Sequence, residues 1–308
     1  MKRVLLTGAT GFVGRHAIVP LLDRGYEVHV VSNRDRSGAL PSEVRCHSAD
    51  LLRPGEVPTL MARVRPTHLL HFAWYVEPGA FWTSSENLRW VGASLDLVRA
   101  FVEFGGRRVV TAGTCAEYEW NGGGCCSETE TPLAPATLYG LCKHALNQII
   151  TAYARQVGIS TAWGRIFFLY GPYEPPGRLV SSVVGALLRG EPAPCSSGTQ
   201  MRDLLHVHDV ASAFAALLDS PVEGPVNIGS GTPIPLKQVV ETLGDISGRP
   251  ELLRRGAIPE RAGDPPLLCA EVTRLREEVG WVPHYDLETG LRHTVEWWRS
   301  RLGEECNV

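Results

Sequence analysis

Two hydrophobic rhythms alternate along the chain. Short apolar runs, "VLL" at 4–6, "VHVVS" at 28–32, "HLLHFAW" at 68–74 and "RRVVTAGT" at 107–114, have the length and β-branched content of buried strands. Between them lie segments with helical spacing, among them "SSENLRWVGASLDLVRAFVEF" at 84–104 and "TPLAPATLYGLCKHALNQIITAYARQVG" at 131–158, the latter entered through a Pro-rich loop. Strand and helix in regular alternation predict an α/β fold with a parallel, doubly wound sheet. Further on, "VNIGSG" at 226–231 and "IPLKQVVETLGDISG" at 234–248 read as a strand and helix of a second, smaller lobe. "LGDISGRPELLRRG" and the final "ETGLRHTVEWWRSRL" read as amphipathic helices with a short strand, and Trp297 and Trp298 as packing residues.

In such sheets chemistry gathers outside the carboxyl ends of the strands. The first strand is followed by "TGATGFVG", in which Gly8, Gly11 and Gly14 are spaced G-x-x-G-x-x-G. Gly8 permits a tight turn out of the strand, Gly11 lets a pyrophosphate approach the backbone, and Gly14 lets the helix lie close on the strand. The helix N-terminus favours the anion. A dinucleotide site is the expectation. Ser32 stands where such sites carry an acid for the ribose 2′-hydroxyl, followed by Asn33 and Arg34; Asp35 is an acid, but a late one. Ser and Arg suit a 2′-phosphate, so NADP(H) is favoured over NAD(H). Asp50 and Leu51 offer an acid–apolar pair for an adenine.

The strand "RRVVTAGT" ends on Thr114, and Tyr139 and Lys143 lie four apart on a helix, hence on one face. A neighbouring ammonium favours the ionised phenol, and a tuned phenol is a general acid or base near neutral pH.

Composition and charge change this picture little. The 308 residues are 44% hydrophobic and 20% charged, enough for one large domain or two modest ones, with a net charge of −3 that gives no footprint for nucleic acid. No run of apolar residues is long enough to span a membrane, and the N-terminal apolar run is too short for a signal peptide. None of the eight cysteines has C-x-x-C spacing; reduced thiols, a cytoplasmic setting and no metal site are expected.

The blocks "TGATGFVG", "DLL", "GTCAEY", "YGLCK", "GRIFFLYGP", "QMRDLLHVHDVASAF", "VNIGSG" and "RAGD" follow one another as in the extended short-chain dehydrogenase/reductases, and the chain resembles their nucleotide-sugar-modifying NAD(P)-dependent epimerase/dehydratase family. The resemblance implies a Rossmann domain over residues 1–165 and a nucleotide-sugar domain over 166–308, some of whose segments return to the Rossmann sheet. It implies a catalytic triad of Thr114, Tyr139 and Lys143. The cofactor would rest on Gly8, Gly11, Phe12, Val13, Gly14, Ser32, Asn33, Arg34, Asp50, Leu51, Phe72, Ala73, Tyr139 and Lys143. Arg202 and Arg261 match the family's diphosphate-binding arginines, with Cys115 and Phe168 also facing substrate; Asp209 holds a loop or caps a helix.

The chain departs from the family at Phe168 and Trp90, each in place of an Asn. It departs again after Thr114. The family's 4,6-dehydratases need an acid pair there, and this chain has Cys115 and Ala116, with Glu117 one residue out of register. Dehydration is therefore disfavoured, and hydride transfer remains. The NADP(H) reading points to reduction of an NDP-4-keto-6-deoxyhexose at C4, with Tyr139 as general acid. The alternative is an NDP-sugar 4-epimerase using bound NAD. A small-ketone reductase without a nucleotide is disfavoured by Arg202 and Arg261, and a dinucleotide-sensing regulator by the retained Tyr–Lys pair. A homodimer is expected through the helices around residues 95–104 and 139–157.

Overall fold

The computed structural model describes residues 2–33, 40–120, 124–260 and 263–305. In chain order the first half runs β1 (Arg3–Thr7), α1 (Ile18–Asp23), β2 (Glu27–Ser32), β3 (Arg45–Ser48), α2 (Glu56–Val64), β4 (His68–His71), α3 (Glu86–Glu103), β5 (Arg108–Thr114), β6 (Cys125–Cys126) and α4 (Leu138–Val157). The second half runs β7 (Ser160–Ile166), β8 (Phe168–Tyr170), α5 (Leu179–Arg189), β9 (Ala193–Cys195), β10 (Met201–His206), α6 (Val207–Asp219), β11 (Gly224–Ile228), β12 (Pro233–Pro235), α7 (Leu236–Ser247), β13 (Leu253–Arg255), β14 (Leu267–Ala270) and α8 (Leu287–Glu305).

The large sheet has seven strands in the order β11-β7-β5-β4-β1-β2-β3, and every pairing in it is parallel. Its central strands β1, β4 and β5 are buried on both faces, as a sheet covered on both sides requires, while the edge strand β3 is polar and partly exposed. Val4, Leu6, Leu70 and Val110 face the layer that includes α6, while Leu5, Leu69, Val109 and Trp163 face α2, α3 and α4. The strand order reverses between β1 and β4, so the crevice of a doubly wound sheet opens at their carboxyl ends. Beyond β1 comes a single 3-10 turn, Gly14–Ala17, before α1, whose Pro20 falls in the first helical turn, where its missing N–H costs nothing.

The second lobe has a five-stranded sheet in which β10 pairs with β12, β14 and β8, and β14 pairs with β6. Val183, Leu187, Val240, Leu243 and Leu291 from α5, α7 and α8 form its own core. Trp298 packs against that core, and Trp297 against Tyr173 with ring centroids 4.5 Å apart, as packing residues should.

Two segments cross between lobes. The strand "PVNI" was expected in the small lobe; as β11 it instead extends the large sheet beside β7, because its Val226 and Ile228 complete the face covered by α6. In the other direction β6, from the first half, joins the small sheet. Among the described residues no helix is long and apolar enough to cross a membrane.

Candidate active site

The glycine loop is built by close approaches. Gly8 has φ +70°, and a Cβ there would stand 2.8 Å from Ala73 N, so the end of β1 and the end of β4 touch through it. A Cβ on Gly14 would stand 2.2 Å from Gly8 O, which fixes how closely the 3-10 turn lies on the loop. Gly11 is exposed and its N–H donates to Gly8 O at 2.9 Å. Thr7 ties the two strand ends together: its Oγ1 accepts from Ala73 N at 3.1 Å and meets His71 Nδ1 at 2.7 Å. This bare backbone cradle at the switch point fits a dinucleotide pyrophosphate. Phe12 and Val13 are half-buried beside it, and Phe72 packs on Phe214.

The adenosine side is less open than the sequence suggested. Ser32 ends β2 and is buried, while Asn33 is exposed; Arg34 and Asp35 lie outside the described residues. The Asp50 carboxylate already accepts from Leu52 N at 3.0 Å, and Leu51 packs against the core.

Thr114 is the last residue of β5 and the N-cap of a 3-10 turn, Cys115–Glu117. Its Oγ1 accepts from Ala116 N at 3.2 Å, and its N–H donates to Glu117 Oε1 at 2.9 Å. This reciprocal arrangement is a capping box, and the T-x-x-E spacing of Thr114 and Glu117 is its sequence signal. The cap turns Glu117 away from the crevice. Its carboxylate is fully buried, accepting from Trp163 Nε1 at 2.8 Å and pairing with Arg165 Nε at 3.0 Å. Arg165 Nη1 donates to Tyr118 OH at 2.9 Å, and Tyr118 OH to Asn227 Oδ1 at 2.7 Å. Glu117 thus anchors the strand ends and is not placed to serve a substrate.

Helix α4 starts at a Thr137 cap, whose Oγ1 accepts from Gly140 N at 3.1 Å. That cap sets Tyr139 and Lys143 one turn apart, both buried. Tyr139 lies edge-on to Phe81 and Trp82, at centroid distances of 4.9 and 5.8 Å. Burial pushes its phenol pKa up; the Thr114 hydroxyl, its hydrogen-bond partner, and the Arg178 guanidinium oppose that. The expected lowering by Lys143 is therefore not what governs the phenol: Lys143 Nζ donates to Ala112 O at 2.8 Å and sits 3.9 Å from the centre of the Trp74 ring. Burial brings the Lys143 pKa down to about 7, opposed by Glu117. His71, beneath it, is held neutral by burial, its pKa lowered to about 3.

Cys115 and Ala116 are both buried, and burial raises the Cys115 thiol well above its ordinary range. Phe168 opens β8, with the Arg202 guanidinium 5.4 Å from its ring centre. Arg202 is buried and lies 2.6 Å from Asp264 Oδ2, so its charge is matched within the protein. Arg261 lies outside the described residues. Asp209 accepts from His284 N and Tyr285 N, both at 2.9 Å, and so holds that loop. Sequence reasoning missed Trp74 beneath Lys143, and Arg178, whose guanidinium lies 5.8 Å from the Phe12 ring centre and acts on Tyr139. Neither carries a spacing signal, because each reaches the site from a distant element.

The fold is shared with known proteins over nearly the whole chain. A curated UDP-glucose 4-epimerase of Corynebacterium glutamicum is 29% identical over 336 residues, covering 99% of this chain and 98% of its own. The solved UDP-glucose 4-epimerase of Thermotoga maritima with UDP-glucose superposes with a TM-score of 0.87 at 25% identity, covering 97% of this chain and 99% of that one. That of Thermus thermophilus, in complex with NAD, superposes at 0.84 with 28% identity, covering 96% and 99%. Residues 4–229 match the NAD dependent epimerase/dehydratase family, from the strand before the glycine loop to the strand that closes the large sheet, and the chain belongs to that family.

Proposed function

We propose that the protein is a nucleotide-sugar 4-epimerase that keeps NAD as a resident cofactor and inverts a UDP-hexose at C4. One observation carries the reading: Thr114, Tyr139 and Lys143 stand together, while the two positions a dehydratase needs for its acids hold a buried thiol and a methyl group. Ala116 cannot titrate, and the Cys115 thiol is held protonated, so hydride chemistry at C4 is left without elimination at C5 and C6. The relatives spanning the chain, among them UDP-glucose 4-epimerases, favour inversion over net reduction. The expectation of a ketoreductase drew on an NADP(H) reading of Ser32, Asn33 and Arg34; the NAD bound to similar proteins at 28% identity weighs against that reading.

The cofactor would rest on the backbone of Gly8, Gly11 and Gly14, against Phe12, Phe72 and Ala73, with Lys143 toward its ribose. Bound NAD supplies a site that takes a hydride from sugar C4 and gives it back. Tyr139 takes the proton from the sugar O4 as the carbonyl forms and returns it when the new carbinol forms. Thr114 holds O4 in line with that phenol. Lys143 is held over Trp74 by its hydrogen bond to Ala112 O. Arg202 and Arg261 are the candidates for the diphosphate, Arg202 by exchanging the Asp264 carboxylate for phosphate oxygens. Leu141, Ile149 and Val157 are exposed on α4 and Leu88 on α3, and we read these faces as a homodimer interface.

The test is purification without added coenzyme, followed by denaturation and identification of the released nucleotide, and incubation with UDP-glucose alone. The reading expects NAD and formation of the C4 epimer. Turnover that requires added NADPH and a 4-keto sugar would return the enzyme to the reductases.

A further inference from the structure

Helix α6 begins with two histidines around its first turn. His206 is the N-cap residue, buried, and His208 follows in the first turn. Helix α8 brings a third, His293, whose Nδ1 lies 3.2 Å from His206 Nε2. One ligand nitrogen from each of the three falls within 4.8 Å of the others. None of these residues belongs to β5 or α4, which carry Thr114, Tyr139 and Lys143.

The separation has a specific meaning. Two nitrogens on one tetrahedral zinc-type cation, each bound at about 2.0–2.1 Å, stand about 3.3 Å apart. The His206 and His293 nitrogens are already at that spacing, 3.2 Å, and the His208 ligand nitrogen lies within 4.8 Å of both. The walls hold the rings in place. Tyr285 packs on His206 at 4.2 Å between centroids and stacks on His293 at 5.4 Å, while His16 packs on His208 at 4.4 Å. His16 is itself engaged, with Nε2 3.2 Å from Pro172 O.

We propose that His206, His208 and His293 form a binding site for a divalent transition cation of the zinc class, tying the start of α6 to α8. Three imidazoles without a carboxylate suit zinc, nickel, cobalt or copper and not magnesium or calcium. Three protein ligands leave a fourth position open to water. Burial lowers the pKa of all three imidazoles, helped at His206 and His208 by the neighbouring histidines and opposed at His293 by Glu296, which favours the neutral, ligating form. On coordination through Nε2, the His206 proton sits on Nδ1, and the long 3.3 Å contact from His208 N is given up. The site was invisible in sequence because His293 lies 87 positions beyond His206.

The test uses the full chain, stripped with chelator and titrated with Zn²⁺ alone at pH 7.5 by calorimetry, with Co²⁺ absorption as a ligand-type probe. The expected result is one equivalent bound, a tetrahedral Co²⁺ spectrum without thiolate charge-transfer bands, and a rise in melting temperature on adding Zn²⁺. His293→Ala and His208→Asn, checked for folding by circular dichroism, should each weaken binding by at least the roughly 10–100-fold that loss of an outer-shell partner costs. If one variant does not fold, the other decides. Less than a tenth of an equivalent bound, unchanged affinity in the folded variants, or thiolate bands marking a site on the cysteines would overturn the proposal.

Discussion

Thr114 and Glu117 divide the work at the end of β5. The capping box leaves the Thr114 hydroxyl facing Tyr139 and sends the Glu117 carboxylate into a buried set with Trp163 and Arg165. Removing the Tyr139 hydroxyl on one side or the Glu117 carboxylate on the other has different consequences. Tyr139→Phe deletes the proton carrier and leaves the glycine loop intact, so kcat should fall by ~10²–10⁴ with NAD still bound, read by steady-state kinetics and nucleotide content. Glu117→Ala instead strands the Arg165 guanidinium, which is almost wholly buried, and breaking such a pair costs about 3–5 kcal/mol. Denaturant titration should show that loss of stability, and a midpoint within error of the parent would contradict the anchoring role.

At the level of elements, the loop between β8 and α5 carries its own pH dependence. Glu174 Oε2 accepts from Ser181 N at 2.9 Å, in the first turn of α5. Burial raises the Glu174 pKa to about 8, against the opposing pull of Arg178 and of the Ser181 N–H. The folded state therefore binds a proton that the unfolded chain releases near its ordinary value of 4.5. Stability from this group is full below that value and is lost as pH rises through about 8. Glu174→Gln should flatten the fall in melting temperature between pH 5 and pH 8 relative to the parent; parallel curves would exclude Glu174 as its source.

Elements were legible in proportion to how local their causes are. The glycine spacing and the Tyr139–Lys143 face depend on backbone within a few residues, and both stand where the sequence put them. The inward turn of Glu117 had a local signal in the T-x-x-E spacing. The partners that make it structural, Arg165 and, through Tyr118, Asn227, come from β7 and β11, and no pattern in the chain announces them. The same distance hid the pairing of the buried Arg202 with the exposed Asp264, so that an expected open phosphate ligand already has a carboxylate partner.

For the whole molecule, the two lobes are woven together, with β11 completing the large sheet and β6 entering the small one. Phe168 and Arg202 stand on the paired strands β8 and β10 of the small lobe, and Arg178, at the start of α5, brings its guanidinium 5.8 Å from the centre of the Phe12 ring beside the glycine loop. In the proposed reaction the hydride taken from C4 returns to C4 of the same sugar, with no net oxidation. The most direct measurement is incubation of the purified enzyme, without added coenzyme, with UDP-glucose deuterated at C4, followed by mass spectrometry and NMR of the product. The account predicts a C4 epimer that retains deuterium at C4 and acquires none from solvent at C3 or C5. Loss of the C4 label, or solvent hydrogen entering at C5, would contradict it.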